Sequence, residues 1–223
     1  MYRTHRSLLG ESLWRQLLDL GTAYSRPADS TLLRESQPGN HVLALHSGCT
    51  AISRIDTNHD PITLAIRGSG ELLGDISVIR GQVRSATVTT ITPCRAHVIT
   101  ASAFRGFVDS HGLTGTLMEH AFVRFQEAEE IRIEQATASH PARLAACLER
   151  LLDALTETDR PASIPLPQDR LARLVGVSRN TVVNIIKPWR ASGWLRTDPS
   201  GGLTVVDLPA IRAAAGLPEQ RNR

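Results

Sequence analysis

The chain has 223 residues, of which 25 are lysine or arginine and 22 are aspartate or glutamate, so its formal net charge is +3. With 41% hydrophobic and 21% charged residues, it has the composition of a folded globular protein rather than a disordered one. This length suits two ordinary domains, since domains cluster at about 100 to 150 residues.

The sequence also excludes several classes of protein and site. No apolar run approaches the ~20 residues that span a bilayer, and the N-terminus has polar residues where a signal peptide needs an apolar core. We therefore expect a cytoplasmic protein with no membrane partner. Cys49, Cys94 and Cys147 are too widely separated for a disulfide framework. His41, His46 and Cys49 lack a further ligand at a suitable spacing, so we expect no metal site.

The first hundred residues predict one helix and then an all-β unit. Residues 7–20 have the spacing of an amphipathic helix whose apolar side contains Leu8, Leu9, Leu13, Leu17 and Leu20. From Leu32 to about Thr100, glycine, asparagine, aspartate and proline separate the β-rich runs HVLAL, TAISRI, ITLAI, SATVTTI and RAHVI. This pattern is typical of an antiparallel sandwich or barrel.

Two helices follow, over about 102–109 and from about Leu113 to Gln135. The second has two apolar stripes about 100° apart, one with Leu117, Ala121, Ala128 and Ile131, the other with Met118, Phe122, Phe125 and Ile133. Two stripes predict two partners, namely the β unit and the same helix of a second chain in a homodimer. The alternative is one broad buried face within a monomer.

The residues Thr137 to Pro141 predict a hinge between domains. Proline is tolerated only in the first turn of a helix, and Ser139 is placed to cap a helix over 140–155. The predicted units are a β domain over 1–110, a long helix over 111–137 and a third unit over 138–223. Acids cluster in 127–134 and basic residues after Arg143, an asymmetry that suits a nucleic-acid partner.

The stretch LARLVGVSRNTVVNIIKPWRASGWL, from Leu171 to Leu195, predicts a helix-turn-helix. Gly176 provides the turn and Ser178 caps the second helix. The aliphatic residues that hold the two helices are Leu171, Leu174, Val175, Val182, Ile185 and Ile186. The residues left on the outer side of the second helix are Arg179, Asn180, Val183, Asn184 and Lys187.

That outer side has the chemistry of a major-groove reader. Arginine donates two hydrogen bonds to guanine, and asparagine pairs with adenine. After Gly193, the runs WLRTD and LTVVD flank a turn at 199–202, which predicts a β-hairpin wing that contacts the DNA backbone. The alternative is a plain helical hairpin with solvated charges.

The segment LPQDRLARLVGVSRNTVVNIIK resembles the recognition motif of the Crp/Fnr family of bacterial transcription regulators. This resemblance implies an α+β chain with an N-terminal antiparallel, jelly-roll-like β-roll of the cyclic-nucleotide-binding type, a long dimerisation helix and a C-terminal winged helix-turn-helix. It implies double-stranded DNA, a second copy of the chain and RNA polymerase as partners, and Arg179 as the base-reading arginine. The predicted DNA-binding residues are Gln168, Ser178, Arg179, Asn180, Thr181, Val183, Asn184 and Lys187.

Three residues depart from the family motif. Asn180 replaces the usual glutamate and Asn184 the usual arginine, so the target should differ from the family's common TGTGA-type half-site while remaining a two-fold repeat. Pro188 removes one hydrogen bond of the recognition helix and should kink it after its DNA-facing turns.

The segment GSGELLGDISVIRGQVRSATV, from Gly68 to Val88, resembles the phosphate-binding cassette of the same family. A glycine that admits a close backbone approach, free helix amides and an arginine–serine pair suit an anion. The resemblance gives Asp75 the role of the acid that binds a ribose hydroxyl. The candidate ligand-binding residues are Gly74, Asp75, Ile76, Arg84 and Ser85.

The cassette also departs from the family pattern, so the pattern does not fix the identity of the ligand. Asp75 is one methylene shorter than the usual glutamate, and Ala128 and Glu129 stand where cAMP-responsive members have hydroxyl residues. A cyclic nucleotide is therefore a candidate ligand, cAMP itself is disfavoured, and a β-roll without any ligand is the alternative. A β-roll that only contacts another protein is a further alternative. An enzyme acting on a phosphorylated substrate is disfavoured, because Asp75 and Arg84 alone make a binding site without a nucleophile or base.

Overall fold

The computed structural model describes residues 4–55, 61–155, 163–198 and 201–217. The N-terminal half contains α1 (His5–Asp19), β1 (Thr22–Arg26), β2 (Thr31–Leu33), β3 (His41–Ser47), β4 (Thr50–Ile55), β5 (Pro61–Arg67), β6 (Leu72–Leu73), α2 (Asp75–Ile79), β7 (Thr87–Thr90), β8 (Cys94–Thr100) and α3 (Ala101–Ser110). The C-terminal half contains α4 (Thr114–Thr137), α5 (His140–Leu155), β9 (Ser163–Ile164), α6 (Gln168–Val175), α7 (Arg179–Ala191), β10 (Leu195–Thr197), β11 (Leu203–Val205) and α8 (Leu208–Ala214). Within these ranges, every helix is too short or too polar to cross a lipid bilayer.

The β unit is an antiparallel roll of two four-stranded sheets, with strand orders β1-β8-β3-β6 and β2-β7-β4-β5. Residues of both sheets share one apolar core, in which Leu33 and Val88 of one sheet pack with Leu43, Leu73 and Ala96 of the other. The predicted antiparallel all-β unit is therefore confirmed. Its predicted start at Leu32 was wrong, because β1 lies before it and pairs with β8 along its whole length.

The N-terminal helix packs on the roll through a face that differs in part from the predicted one. Leu9, Trp14 and Leu17 are buried in a core with Phe104 of α3. Leu20 was expected on this face, but it follows the end of α1 and is 46% exposed. The indole of Trp14 occupies the apolar face at a position that leucine spacing alone did not indicate.

The long helix α4 has one covered apolar side and one uncovered apolar side. Leu117 and Ile131 of the first predicted stripe are buried against the rest of the chain. Phe122, Phe125 and Ile133 of the second stripe are each 62% exposed. Within a single chain, the second stripe therefore has no apolar cover over most of its surface.

The core of the C-terminal half continues into the roll. Leu148 of α5 and Ile164 of β9 belong to the same buried cluster as Ala51, Ile66 and Ile91 of the roll. Polar contacts reinforce this junction, since Arg170 of α6 forms a 2.6 Å ion pair with Asp29 and donates a hydrogen bond to the carbonyl oxygen of Thr90. Only Ala138 and Ser139 separate α4 from α5, and the Ala142 amide donates to Ser139 Oγ over 3.4 Å.

Candidate functional site

The turn between α6 and α7 is fixed by one glycine and one arginine. Gly176 has φ +70°, a left-handed conformation that favours glycine, and the amide of Val177 donates to the carbonyl oxygen of Ala172 over 3.0 Å. The guanidinium of Arg143 donates to the carbonyl oxygen of Val175. These contacts satisfy two of the last carbonyls of α6 and set the direction in which α7 leaves the turn.

The second helix of the motif is capped at its start and held from behind. Ser178 Oγ accepts a 3.0 Å hydrogen bond from the amide of Thr181. Val182, Ile186 and Trp189 are buried, and their spacing of four and three residues places them on one side of α7, which is thereby anchored in the core. Pro188 lies inside α7 and does not end the helix, which continues for three more residues to Ala191.

The opposite side of α7 is open to solvent. Arg179, Asn180, Asn184 and Lys187 are exposed, and Thr181 and Val183 are half-buried. Ser178 is exposed at the helix start, and Gln168 is the half-buried first residue of α6. Seven of the eight predicted DNA-binding residues thus lie on α7 or its cap, and the eighth begins the preceding helix.

A β-hairpin follows α7, as the sequence predicts for a wing. Leu195, Arg196 and Thr197 pair antiparallel with residues 203–205, and the amide of Asp198 donates to the carbonyl oxygen of Gly202 over 3.0 Å. Pro199 and Ser200 of the predicted tip lie outside the described residues. No strand was predicted between α5 and the helix-turn-helix, but β9 lies there and pairs with β11 as a third strand. A two-residue strand leaves no alternation to detect.

All five predicted ligand-binding residues line one cavity of about 370 Å³ between the cassette and α4. Ala128 and Glu129 of α4 line it as well. Its volume lies within the range of small-molecule sites. The structure therefore brings the cassette and the long helix together around one space.

Within this cavity the cassette arginine is held by the protein itself. Arg84 is 4% exposed, and its Nη1 donates to the carbonyl oxygen of Gly74 over 2.8 Å and to Ser77 Oγ over 2.7 Å. Its Nη2 donates to the carbonyl oxygen of His41. Burial lowers the pKa of Arg84, and the charge of Asp75 opposes that shift. Gly74 has φ +82°, and a Cβ there would lie 2.2 Å from Arg84 Nη1, so this close approach requires glycine.

Asp75 belongs to a buried polar cluster that sequence reasoning missed. His5 of α1 contacts Asp75 Oδ2 through Nε2 at 3.2 Å and Glu71 Oε2 through Nδ1 at 2.8 Å. Arg124 of α4 forms an ion pair with Glu71, and its Nε donates to His120 Nε2 over 3.0 Å. Glu71 stands inside the quoted cassette, but no spacing in the sequence links it to His5 or α4.

The charges in this cluster depend on one another. Burial alone raises the pKa values of Glu71 and Asp75. For Glu71, the charge of Arg124 and the contact with His5 outweigh burial and hold the pKa below its ordinary value. For Asp75, the hydrogen bond with His5 acts together with the charges of His5 and Arg124 and with a backbone hydrogen bond to hold the pKa below its ordinary value despite burial. Burial, assisted by the charge of Arg124, lowers the pKa of His120 to about 4. At neutral pH this part of the chain therefore holds two carboxylates and a neutral His120.

Comparison with known proteins gives matches over both halves of the chain. A family model for the cyclic nucleotide-binding domain matches residues 25–111, and one for the Crp-like helix-turn-helix domain matches residues 142–214. A CRP-like cAMP-activated global transcriptional regulator of Mycobacterium tuberculosis is 26% identical over 176 residues, which are 77% of this chain and 79% of that protein.

Solved structures share the fold at low sequence identity. The c-di-GMP responsive global regulator CLP of Xanthomonas campestris has a TM-score of 0.67 at 18% identity, over 89% of this chain and 100% of that one. A CRP-family transcriptional regulator of Thermus thermophilus has a TM-score of 0.71 at 16% identity, over 88% of this chain and 98% of that one. These likenesses show the fold.

Proposed function

The chain belongs to the Crp/Fnr family of transcription regulators, and we propose that it binds a two-fold repeated DNA site as a homodimer under the control of a ligand in the β-roll. We also propose the division into a sensor roll (1–110), a dimerisation helix (111–137) and a DNA-binding domain (138–223). RNA polymerase is the proposed second partner, because a transcription regulator acts by helping or hindering it.

The exposed side of α7 is the observation that carries the DNA-binding proposal. Arg179, Asn180, Asn184 and Lys187 point to solvent while Val182, Ile186 and Trp189 anchor the helix. Guanidinium and amide groups on one side of a fixed helix match the donor and acceptor pattern of the major groove. Lys187 lies two turns into the helix and suits a phosphate contact.

The dimer proposal depends on the uncovered stripe of α4. Phe122, Phe125 and Ile133 present apolar surface that a monomer leaves in water. Packing this stripe on the same stripe of a second chain covers both copies and gives a two-fold interface. Two recognition helices related by that axis then match half-sites about one DNA turn, or ~34 Å, apart.

The ligand proposal depends on the shared cavity. A ligand that contacts both the cassette and α4 bridges the sensor and the proposed dimer helix, so its binding energy can favour one arrangement of the two. The relatives' names include a cAMP-activated and a c-di-GMP responsive regulator. We propose a phosphate-bearing, cyclic-nucleotide-like ligand other than cAMP, because Ala128 supplies no hydroxyl and Glu129 adds a negative charge to the cavity.

One observation favours a second candidate, a DNA binder without a ligand. Arg84 already donates to three oxygen atoms of the protein, and Asp75 already contacts His5. A phosphate group must displace those protein oxygens before it can accept hydrogen bonds from Arg84. In that case, the abundance of the protein rather than a ligand controls DNA occupancy.

Selection of bound sequences from random DNA tests the function directly. The wild-type chain should enrich an inverted repeat, and a panel of cyclic mono- and dinucleotides should change the enrichment if a ligand acts. Arg179→Ala should lose preference at one base pair per half-site, a discrimination of about 1–3 kcal/mol, while the exposed Arg15→Ala on α1 serves as a control. Identical enrichment by wild type and Arg179→Ala would contradict the assignment of α7.

A further inference from the structure

Three metal-ligating side chains converge in the buried cluster beside the cassette. The donor atoms of His5, Glu71 and His120 all lie within 4.8 Å of one another, and all three residues are buried. They come from α1, from the residue before β6 and from α4. The imidazole rings of His5 and His120 stand edge to face with their centroids 4.5 Å apart. Two histidines and one carboxylate form a common protein ligand set for zinc.

The centre of this group already holds a positive charge. Arg124 Nη2 contacts Glu71 Oε2 and lies 3.1 Å from His5 Nδ1, while Arg124 Nε lies 3.0 Å from His120 Nε2. One guanidinium therefore contacts a donor atom of each of the three residues. The three side chains are arranged to surround a cation.

The guanidinium leaves this cluster incompletely satisfied. Glu71 is fully buried, and among the described residues its Oε1 has no hydrogen-bond partner. An unpaired buried carboxylate oxygen costs several times what a hydrogen bond contributes. The guanidinium of Arg124 forms an ion pair with Glu71, and those of Arg67 and Arg84 interact electrostatically with Glu71 and Asp75. A divalent cation bound by Glu71 would provide the missing partner for Oε1.

Asp75 stands where an outer partner of a metal-bound histidine is usually found. It contacts His5 Nε2 at 3.2 Å, while the amide of Leu72 donates to His5 Nδ1 over 3.0 Å. Nδ1 thus faces both the amide of Leu72 and the carboxylate oxygen of Glu71, whereas Nε2 faces Asp75. In the metal-bound form, a proton on Nε2 that Asp75 accepts would fix the ring and give Nδ1 a lone pair for the metal ion, which would replace the contacts of Nδ1 with Leu72 and Arg124.

A cation also has an acidic route to the cluster. Glu71 and Thr4 line a second cavity of about 450 Å³ between the roll, α4 and α5. Glu127, Glu130, Glu134 and Asp153 line the same cavity. Arg67 and Arg150 line it too and pair with Glu127 and Glu134, so its carboxylates outnumber its guanidinium groups. Carboxylates along an open cavity attract cations and raise their local concentration.

We propose that His5, Glu71 and His120 bind a divalent transition metal ion of the Zn²⁺ type, which exchanges with the guanidinium of Arg124. Zinc bonds of about 2 Å in a tetrahedron place the ligand atoms about 3.3 Å apart. Because the ligand atoms now lie within 4.8 Å of one another, the widest separation must shrink by up to about 1.5 Å on binding. Arg124 also lines the cavity of the cassette, so the exchange offers this side chain to that cavity and links the metal to the proposed ligand site.

Calorimetric titration of the chelator-treated full chain with ZnCl₂, without DNA or nucleotide, tests this site. Wild type should bind one ion per chain, and His120→Ala should bind at least tenfold more weakly. Arg124→Ala should bind at least tenfold more tightly, because the competing cation is gone. His97→Ala is the matched control, because His97 and His46 form another histidine pair with ring centroids 6.4 Å apart.

The outcomes separate a built site from adventitious zinc. Equal affinities of wild type and His120→Ala, or an Arg124→Ala variant that binds no more tightly than wild type, would overturn the proposal. Loss of binding in His97→Ala alone would assign the ion to the other pair and would also overturn it. Circular dichroism checks the fold of each variant. If His120→Ala does not fold, Glu71→Gln replaces it, since the amide keeps the shape and removes the charge, and at least tenfold weaker binding is again expected.

Co²⁺ absorption gives a second readout that does not depend on DNA binding. A tetrahedral histidine–carboxylate site should produce visible bands in wild type and stronger bands in Arg124→Ala, and His120→Ala should abolish them. Octahedral, water-like spectra in all three proteins would contradict the proposal. Because neither measurement involves DNA, failure here leaves the proposed regulatory function untouched.

Discussion

Replacing Phe122 by alanine should weaken self-association of the chain by about a thousandfold. The side chain is 62% exposed in the single chain. An aromatic side chain offers roughly 200 Å², so about 120 Å² of Phe122 is free to be covered by a partner. Alanine keeps about a third of this area, and the loss is thus about 80 Å² in each copy.

That area converts into a large change in the dimer dissociation constant. At about 25 cal/mol per Å², each copy loses about 2 kcal/mol, and a two-fold interface contains the residue twice. The dimer therefore loses about 4 kcal/mol, or close to three powers of ten in Kd. This value assumes that the partner covers the whole exposed area of Phe122.

Sedimentation over a concentration series measures the effect. Val206→Ala is the control, because Val206 is 51% exposed but lies after β11, away from α4. It should leave the association unchanged. A Phe122→Ala chain that associates within threefold of wild type would show that self-association uses another surface. Far-ultraviolet circular dichroism should be the same for all three proteins.

Three further predictions concern stability and chemical reactivity. Ser178→Ala removes the cap of α7 and should lower the free energy of unfolding by about 1 kcal/mol in urea titrations; an unchanged midpoint would mean that the cap contributes nothing. Gly74→Ala should lower the melting temperature more than Gly81→Ala. Both glycines have a positive φ, but only the Cβ at position 74 would clash, with Arg84 Nη1 at 2.2 Å. If both variants lowered the melting temperature equally, backbone strain alone would explain the loss and the clash with Arg84 would contribute nothing. Burial raises the pKa of the Cys94 thiol to about 11, so iodoacetamide at pH 8 should label it in the unfolded chain only, as followed by mass spectrometry. Equal labelling rates in the native and unfolded chains would contradict that burial.

The helix-turn-helix could be predicted because its determinants are local. Gly176, Ser178 and the spacing of Val182 and Ile186 lie within eleven residues, and each requires a backbone geometry or a buried face that does not depend on the rest of the chain. The main strands of the roll were predictable for the same reason, since alternation of apolar and polar residues reports on a sheet with one buried face.

The buried cluster beside the cassette could not be predicted, because its members are far apart in sequence. His5 and Glu71 are 66 positions apart, and Arg124 and Glu71 are 53 positions apart. Such contacts depend on how α1 and α4 pack on the roll, and the spacing of apolar residues within either helix does not predict that packing. The ligand-binding segment was recognisable, but its contacts with His5 were not.

The continuous core between α5 and the roll limits how the molecule can be divided. Ala51, Ile66 and Ile91 pack with Leu148 and Ile164, so a cut through Ser139 would strip apolar cover from both fragments. Each fragment would keep most of its own core but expose these apolar side chains to water, and each would tend to aggregate when expressed alone. Heating the intact chain should accordingly produce one melting event rather than two.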